Sequence, residues 1–410
     1  MIRGFKVHKY AVWIACALLT TFSLLSAELR NAEALRKAAE RIHAGAILVD
    51  GHNDVTLYMA DAGYDLGENS AGLFHTDLTR LKRGGVTAQF FSVWIDPNKY
   101  ITNGATGRAL KMIDAVYRAA AAHPDKLVLA VTVQDIRRAK RDGRIAALMG
   151  IEGGYAIENS LETLRAFHRL GVRYMTLTHR VSTAWAGATT NGPGTGLTAF
   201  GREIVSEMNR LGILVDISHV SDTTMGDVLD VSRVPVIASH SSARALCNVP
   251  RNIPDPLLRR IASNGGVVMV NFYNGFLDTN YAAAYSRLEA EFDSLSKRYD
   301  GDRRAGRVAE QKLAASLPAV PLGGLADHID HIVRVAGIDH VGLGSDFDGM
   351  ELAPAGMEDV SCFPNLTIEL LRRGYSEQDI RKILGENFLR VLGEAEQFVR
   401  RSQRSEASKK

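Results

Sequence analysis

At 410 residues the chain has room for one large barrel domain or two ordinary ones. A hydrophobic content of 46% with 23% charged residues is that of a globular protein and excludes a disordered or fibrous one. The formal charge is +3, from 49 basic and 46 acidic residues mixed along the chain, so no nucleic-acid-binding stripe forms, and the basic end (Arg400, Arg401, Arg404, Lys409, Lys410) reads as a solvated tail.

Arg3, Lys6 and Lys9 precede an apolar stretch from Ala11 to Leu25, followed by the small residues Ser26 and Ala27. This layout predicts a signal peptide over residues 1–27 and a periplasmic or secreted protein. The stretch is shorter than the ~20 residues that comfortably span a bilayer. Leu25 is not the small residue preferred three places before a cut, so an uncleaved N-terminal membrane anchor stands as the alternative. Cys16 lies in this segment. Cys247 and Cys362 remain, too few for a disulfide framework and without the spacing of a zinc-thiolate site.

Beyond the signal, apolar strand-like runs end repeatedly on polar or metal-binding residues. Ala46-Ile47-Leu48-Val49 leads into Asp50-Gly51-His52-Asn53-Asp54, and a second run covers 85–93. Later runs end at Glu152, His179, His219 and His240; another covers 266–272, and the last ends at Asp346. Between them lie helix-period segments at 107–122, 160–170, 199–211, 222–231 and 255–263. Eight near-continuous apolar strands alternating with helices predict one (β/α)8 barrel over residues 28–400, with 401–410 as a charged tail. An open doubly wound sheet is the alternative, but no Gly-x-Gly-x-x-Gly follows the first strand. Residues 280–318 form a charged, helix-rich insertion before the eighth strand, read as a lid, a dimer contact or a plain surface helix. Ser376 to Arg400 reads as C-terminal helices with a capped start at Ser376.

Barrels of this kind carry their chemistry at the C-terminal ends of the strands. His52 and Asp54 stand two apart after the first strand, so in extended backbone both side chains face one way and both can bind one cation. A buried Glu152 without a partner would be costly, which points to a cation there. His219 and His240 end adjacent strands and suit the nitrogen preference of zinc. Five ligands exceed what one catalytic zinc takes from protein. They fit two: His52 with Asp54, His219 with His240, and Glu152 between. The other eight histidines (8, 43, 75, 123, 168, 328, 331 and 340) read as structural or solvent-facing.

From about 45 to about 395 the chain resembles the membrane (renal) dipeptidase family of zinc peptidases, within the metal-dependent hydrolase barrels. The resemblance is carried by Asp50-Gly51-His52-Asn53-Asp54, Gly150-Ile151-Glu152-Gly153-Gly154, Leu177-Thr178-His179, Asp216-Ile217-Ser218-His219-Val220, Ser239-His240-Ser241-Ser242-Ala243, Arg251-Asn252-Ile253-Pro254-Asp255 and Gly344-Ser345-Asp346-Phe347-Asp348-Gly349. It implies two Zn2+ per chain and hydrolysis of dipeptides by a hydroxide shared between the metals. It further implies that His179 contacts the scissile carbonyl, that Arg251 holds the substrate carboxylate, and that Asp346 receives the amino group and passes a proton to the leaving amine; Tyr273 is expected among the substrate-binding residues. It suggests tolerance of a D-residue at the second position and a homodimer.

The chain departs from the family pattern at three places. Val55-Thr56-Leu57-Tyr58 replaces a Leu-Pro-Trp-like stretch, Trp185-Ala186-Gly187 replaces Trp-Ala-Asp, and Tyr155 stands where relatives often have His. Cys247 matches a family cysteine whose disulfide partner is missing here. The expectation is an exported dinuclear zinc dipeptidase. Its rivals are another exported zinc amidase, lactonase or phosphoester hydrolase, and a metal-bearing binding protein without turnover.

Overall fold

A computed structural model describes residues 32–191 and 195–407. The expectations for residues 1–27 lie outside the described residues. Nine parallel strands follow in chain order: β1 (Leu48–Asn53), β2 (Val86–Trp94), β3 (Leu127–Leu129), β4 (Ile145–Glu152), β5 (Val172–Thr176), β6 (Leu214–Asp216), β7 (Ile237–Ala238), β8 (Val267–Val270) and β9 (Val341–Leu343). All but β3 close into an eight-stranded barrel, in which β2 pairs with β4 from Ala88↔Ala146 to Trp94↔Glu152 and β9 returns to β1 at Asp50↔Leu343. The predicted (β/α)8 architecture is therefore present, and its eight runs are the eight barrel strands.

Strand β3 was not expected. Its three residues pair only with the first half of β4, at Leu127↔Ile145 to Leu129↔Ala147, and β5 takes over the same edge from Met149. A run of three apolar residues is too short to show periodicity. The helices Val55–Asp61 and Val133–Arg141 also escaped the sequence reading. The second is opened by a capping box, with Thr132 and Asp135 each satisfying the other's backbone N–H.

Strand alternation decides what reaches the barrel axis. Ala88, Phe90, Ala146, Leu148, Tyr174, Leu214, Val267 and Met269 form the inner cluster. Phe91, Val93, Met149, Ile151, Met175, Val215, Val268 and Val270 face outward to the helices. Phe388, from the terminal helix Asn387–Ala407, closes the bottom against Phe90 with ring centroids 5.2 Å apart. That helix follows the Ser376-capped turn and continues into the segment read as a charged tail. Continuing the same alternation along these strands reaches Glu152, Thr176, Asp216 and Asn271. Polar side chains in the barrel's own register thus reach its C-terminal mouth.

The insertion forms two helices, Thr279–Arg298 and Arg303–Ala314. It is pinned to the mouth by the buried Arg307, which donates to the carbonyls of Leu73 and Met350 and lies 3.0 Å from the His75 ring. Among the described residues no helix is long and apolar enough to cross a membrane.

Candidate metal centre

Glu152 ends β4 and is the hub of the mouth. Its Oε2 lies 3.2 Å from His52 Nε2, and its Oε1 lies 2.9 Å from His219 Nε2, 3.4 Å from His240 Nε2 and 3.6 Å from His179 Nε2. Each carboxylate oxygen thus has its own set of imidazoles. Asp54 Oδ2 lies 3.4 Å from His52 Nε2, and its side chain makes no cap to the helix it precedes. His240 connects the two sides, 2.9 Å from His219 Nε2 and stacked on His52 at 3.8 Å. Three overlapping groups have ligand atoms within 4.8 Å of one another: His52, Glu152 and His240; Glu152, His179 and His219; His52, Asp54 and Asp346. All five predicted ligands are brought together, with His179 and Asp346 beside them.

The scaffold also sets the imidazole tautomers. Tyr174 Oη donates to the Gly51 carbonyl at 3.1 Å and lies 2.8 Å from His52 Nδ1. Its hydrogen is spent, so it accepts from Nδ1–H, and His52 turns Nε2 toward two carboxylates. That Nε2 is buried and has no hydrogen-bond partner. Burial opposes a charge on His52, yet Tyr174 and the carboxylates of Glu152 and Asp54 raise it well above the ordinary imidazole range, so the proton on Nε2 holds the place that a metal cation would take. His240 is arranged alike: Ser239 Oγ donates to Asp216 Oδ2 at 2.6 Å and lies 2.7 Å from His240 Nδ1, again freeing Nε2. Burial holds His240 down at about 3, in the neutral form that binds metals.

His179 is set the other way. The indole N–H of Trp94 can only donate, and it reaches His179 Nδ1 at 3.4 Å. Burial holds His179 at about 4, so the neutral ring carries its hydrogen on Nε2. This is a donor suited to an oxygen atom rather than a ligand nitrogen. Tyr155, which departs from the family pattern, braces this loop: its hydroxyl donates to the Val181 carbonyl and accepts from the His179 amide at 3.1 Å.

Burial opposes the charge on Glu152, yet the neighbouring imidazoles, His52 foremost, hold it well below the usual carboxylate range. Two close approaches preserve the geometry. A Cβ on Gly150 would lie 2.0 Å from the Tyr174 ring, and one on Gly349 would lie 2.2 Å from Asp54 Oδ2 and 2.8 Å from Asp346 Oδ1. His219 and Asp346 adopt left-handed backbone, with φ of 66° and 64°, at a cost of about 1 kcal/mol or more each.

Arg251 is buried, and its Nη atoms donate to Ser241 Oγ at 2.7 Å and the His240 carbonyl at 2.8 Å. Its Nε has no partner, and among the described residues no carboxylate lies within ion-pair distance. Burial lowers it to about 10. A buried guanidinium without a counter-charge is a site waiting for an anion. Asn271 Nδ2 donates to Asp346 Oδ2 at 2.9 Å and orients that carboxylate. Tyr273 stands by Phe276, over which the Arg251 guanidinium lies at 5.4 Å.

Among the described residues, the histidines set aside in the sequence lie elsewhere. His43 meets Thr367 Oγ1 at 2.6 Å, His328 accepts from the Ala243 amide, His331 pairs with Asp255 at 2.7 Å and His340 reaches the Gly266 carbonyl. Cys247 and Cys362 are free thiols. Sequence reasoning missed Trp94, Tyr174, Ser239 and Asn271, which set the donors rather than serve as them. Trp94 follows the second run directly, so the strand-end rule could have found it. Tyr174 reads as any core aromatic.

A parallel barrel whose C-terminal mouth gathers His, Asp and Glu around a buried carboxylate defines a metal-dependent hydrolase. Residues 36–406 match the model of the membrane dipeptidases, peptidase family M19, and the chain belongs to that family of metallopeptidases. It is similar to the solved structure of the probable dipeptidase PvdM from Pseudomonas aeruginosa, with 26% identity and a TM-score of 0.78 over 89% of this chain and 99% of that one. It is similar also to dipeptidase AC, a metallopeptidase of family M19, at 29% identity and TM-score 0.71, covering 85% and 98%. A metallopeptidase from Rhodobacter sphaeroides, bound to a phosphinate mimic of the dipeptide L-Ala-D-Ala, shares 28% identity at TM-score 0.70, covering 85% and 99%.

Proposed function

We propose that the chain is an exported, dinuclear zinc dipeptidase that accepts a D-residue at the second position. The observation that carries this reading is the division of labour at Glu152, whose two oxygens face different imidazoles. His52 and Asp54 would hold one zinc, His219 and His240 the other, with Glu152 bridging. Zinc bound there would make a water nucleophilic near neutral pH and polarise the scissile carbonyl.

The chain's own residues supply the rest. His179 offers Nε2–H to the carbonyl oxygen as it gains charge. Arg251, assisted by Tyr273, takes the free carboxylate of the dipeptide in a charge-assisted contact. Asp346, held by Asn271, receives the amino group at the other end and moves a proton to the leaving nitrogen. A charge at each end limits the substrate to two residues. The phosphinate dipeptide mimic in the Rhodobacter sphaeroides relative supports a dipeptide with a D-residue second.

The test is a turnover panel of L,L- and L,D-dipeptides, each free, N-acetylated and C-amidated. Free dipeptides should be cleaved at least about tenfold better than their blocked forms. Equal cleavage of blocked and free forms would instead favour a broader zinc amidase. Export and a homodimer belong to the same proposal. N-terminal sequencing of the exported protein should begin near Glu28, an intact Met1 in a membrane fraction would favour the anchor, and sedimentation should give twice the chain mass.

A further inference from the structure

An aromatic wall runs from Arg251 to an acidic group with no role in the chemistry above. The Arg251 guanidinium lies over Phe276, Phe276 packs edge-on to Tyr273 at 4.9 Å, and Tyr273 meets Tyr285 of the insertion at 6.0 Å. Tyr285 Oη donates to Glu351 Oε1 at 3.3 Å. The other oxygen, Oε2, is buried and has no partner. Glu351 follows Asp346 by five residues, on the same loop out of β9.

Nearby cations leave this oxygen unmatched. Arg307 donates to the carbonyls of Leu73 and Met350, and its charge reaches Glu351 without an ion pair between them. Arg180, which follows His179, is exposed, although its charge reaches Glu351. Glu310 adds negative charge on the insertion side. Burial outweighs these influences and raises Glu351 above the usual carboxylate range. A carboxyl group left this way gains most from an incoming positive charge.

We infer that Glu351 is a specificity-determining residue, selecting dipeptides whose C-terminal residue bears a cationic side chain of lysine or arginine length. The inference rests on the proposed role of Arg251. With the substrate carboxylate at Arg251, that residue's side chain runs along the wall of Phe276, Tyr273 and Tyr285 toward Glu351. Its alkyl stem packs on the rings and its charged end meets Oε2.

The test compares kcat/KM of the zinc-loaded protein for alanyl-lysine, alanyl-norleucine and alanyl-glutamate, each with an L- and a D-residue second. Lysine should exceed norleucine by about tenfold or more, as expected for one charge-assisted contact. In Glu351→Gln the lysine-to-norleucine ratio should fall toward one, and Tyr285→Phe, which frees Oε1, should retain a preference for lysine. A ratio near one in the unaltered protein, or one unchanged in Glu351→Gln, overturns the inference. A preference for glutamate would give control of the pocket to Arg180 and also overturn it. Cleavage of norleucine without selectivity removes only the Glu351 assignment, whereas failure to cleave any of the three removes the dipeptidase reading with it.

Discussion

Two kinds of buried carboxylate sit at the same barrel mouth, and they differ in what surrounds their oxygens. Asp216 is saturated: Oδ1 accepts from the amides of Ser218 and Ser239 at 3.0 and 2.8 Å, and Oδ2 from the hydroxyls of Thr176 and Ser239 at 2.5 and 2.6 Å. Asp50 is similar, accepting from Ser345 N and Oγ at 2.7 Å and from Gln89 at 2.9 Å. Glu152 has one hydroxyl donor, Ser92 at 3.2 Å, and otherwise faces imidazole nitrogens. Burial opposes ionisation of both Asp50 and Glu152. It prevails at Asp50, pushed up to about 6, while positive charge holds Glu152 low. Neutral donors build a scaffold, whereas a carboxylate left to imidazoles marks the place for a cation.

The largest effect should come from the cation side. Glu152→Gln leaves the size unchanged but removes the charge, and kcat/KM should fall at least about a hundredfold, with metal content falling in parallel. Retained activity would place Glu152 with Asp216, among the scaffold carboxylates. Next is Arg251→Ala, for which kcat/KM on free dipeptides should drop about ten- to a hundredfold, with C-amidated ones changing far less. Trp94→Phe removes one hydrogen bond to His179 and should lower kcat about fivefold with little change in KM. A change confined to KM would argue that Trp94 only shapes the pocket. Asp216→Asn sharpens the comparison from the other side. Its amide would set donors against donors, costing about 1–3 kcal/mol in denaturant unfolding, with metal content falling less than in Glu152→Gln.

Much of this contrast was legible in the sequence, though unevenly. Strand-end position picked out His52, Asp54, Glu152, His179, His219, His240 and Asp346, because a parallel barrel presents strand ends to one mouth. Asp50 and Asp216 occupy the same motifs, and nothing in one dimension separates them from Glu152. Their donors come from neighbouring strands: Ser345 for Asp50, Thr176 and Ser239 for Asp216. The tautomer-setting groups were hidden for the same reason, since Tyr174 reaches His52 across the barrel from 122 positions away. The left-handed backbone of His219 and Asp346 was likewise invisible, because no glycine marks those positions.

The central claim is that Glu152 joins two metal ions, and counting metals tests it most directly. Protein purified without added chelator should contain two zinc ions per chain by plasma mass spectrometry, and dialysis against a chelator should remove both together with all turnover. Glu152→Gln should then fail to regain two ions when zinc is restored. A protein that reproducibly carries one metal at full turnover, or an E152Q variant that rebinds two, would contradict the bridge.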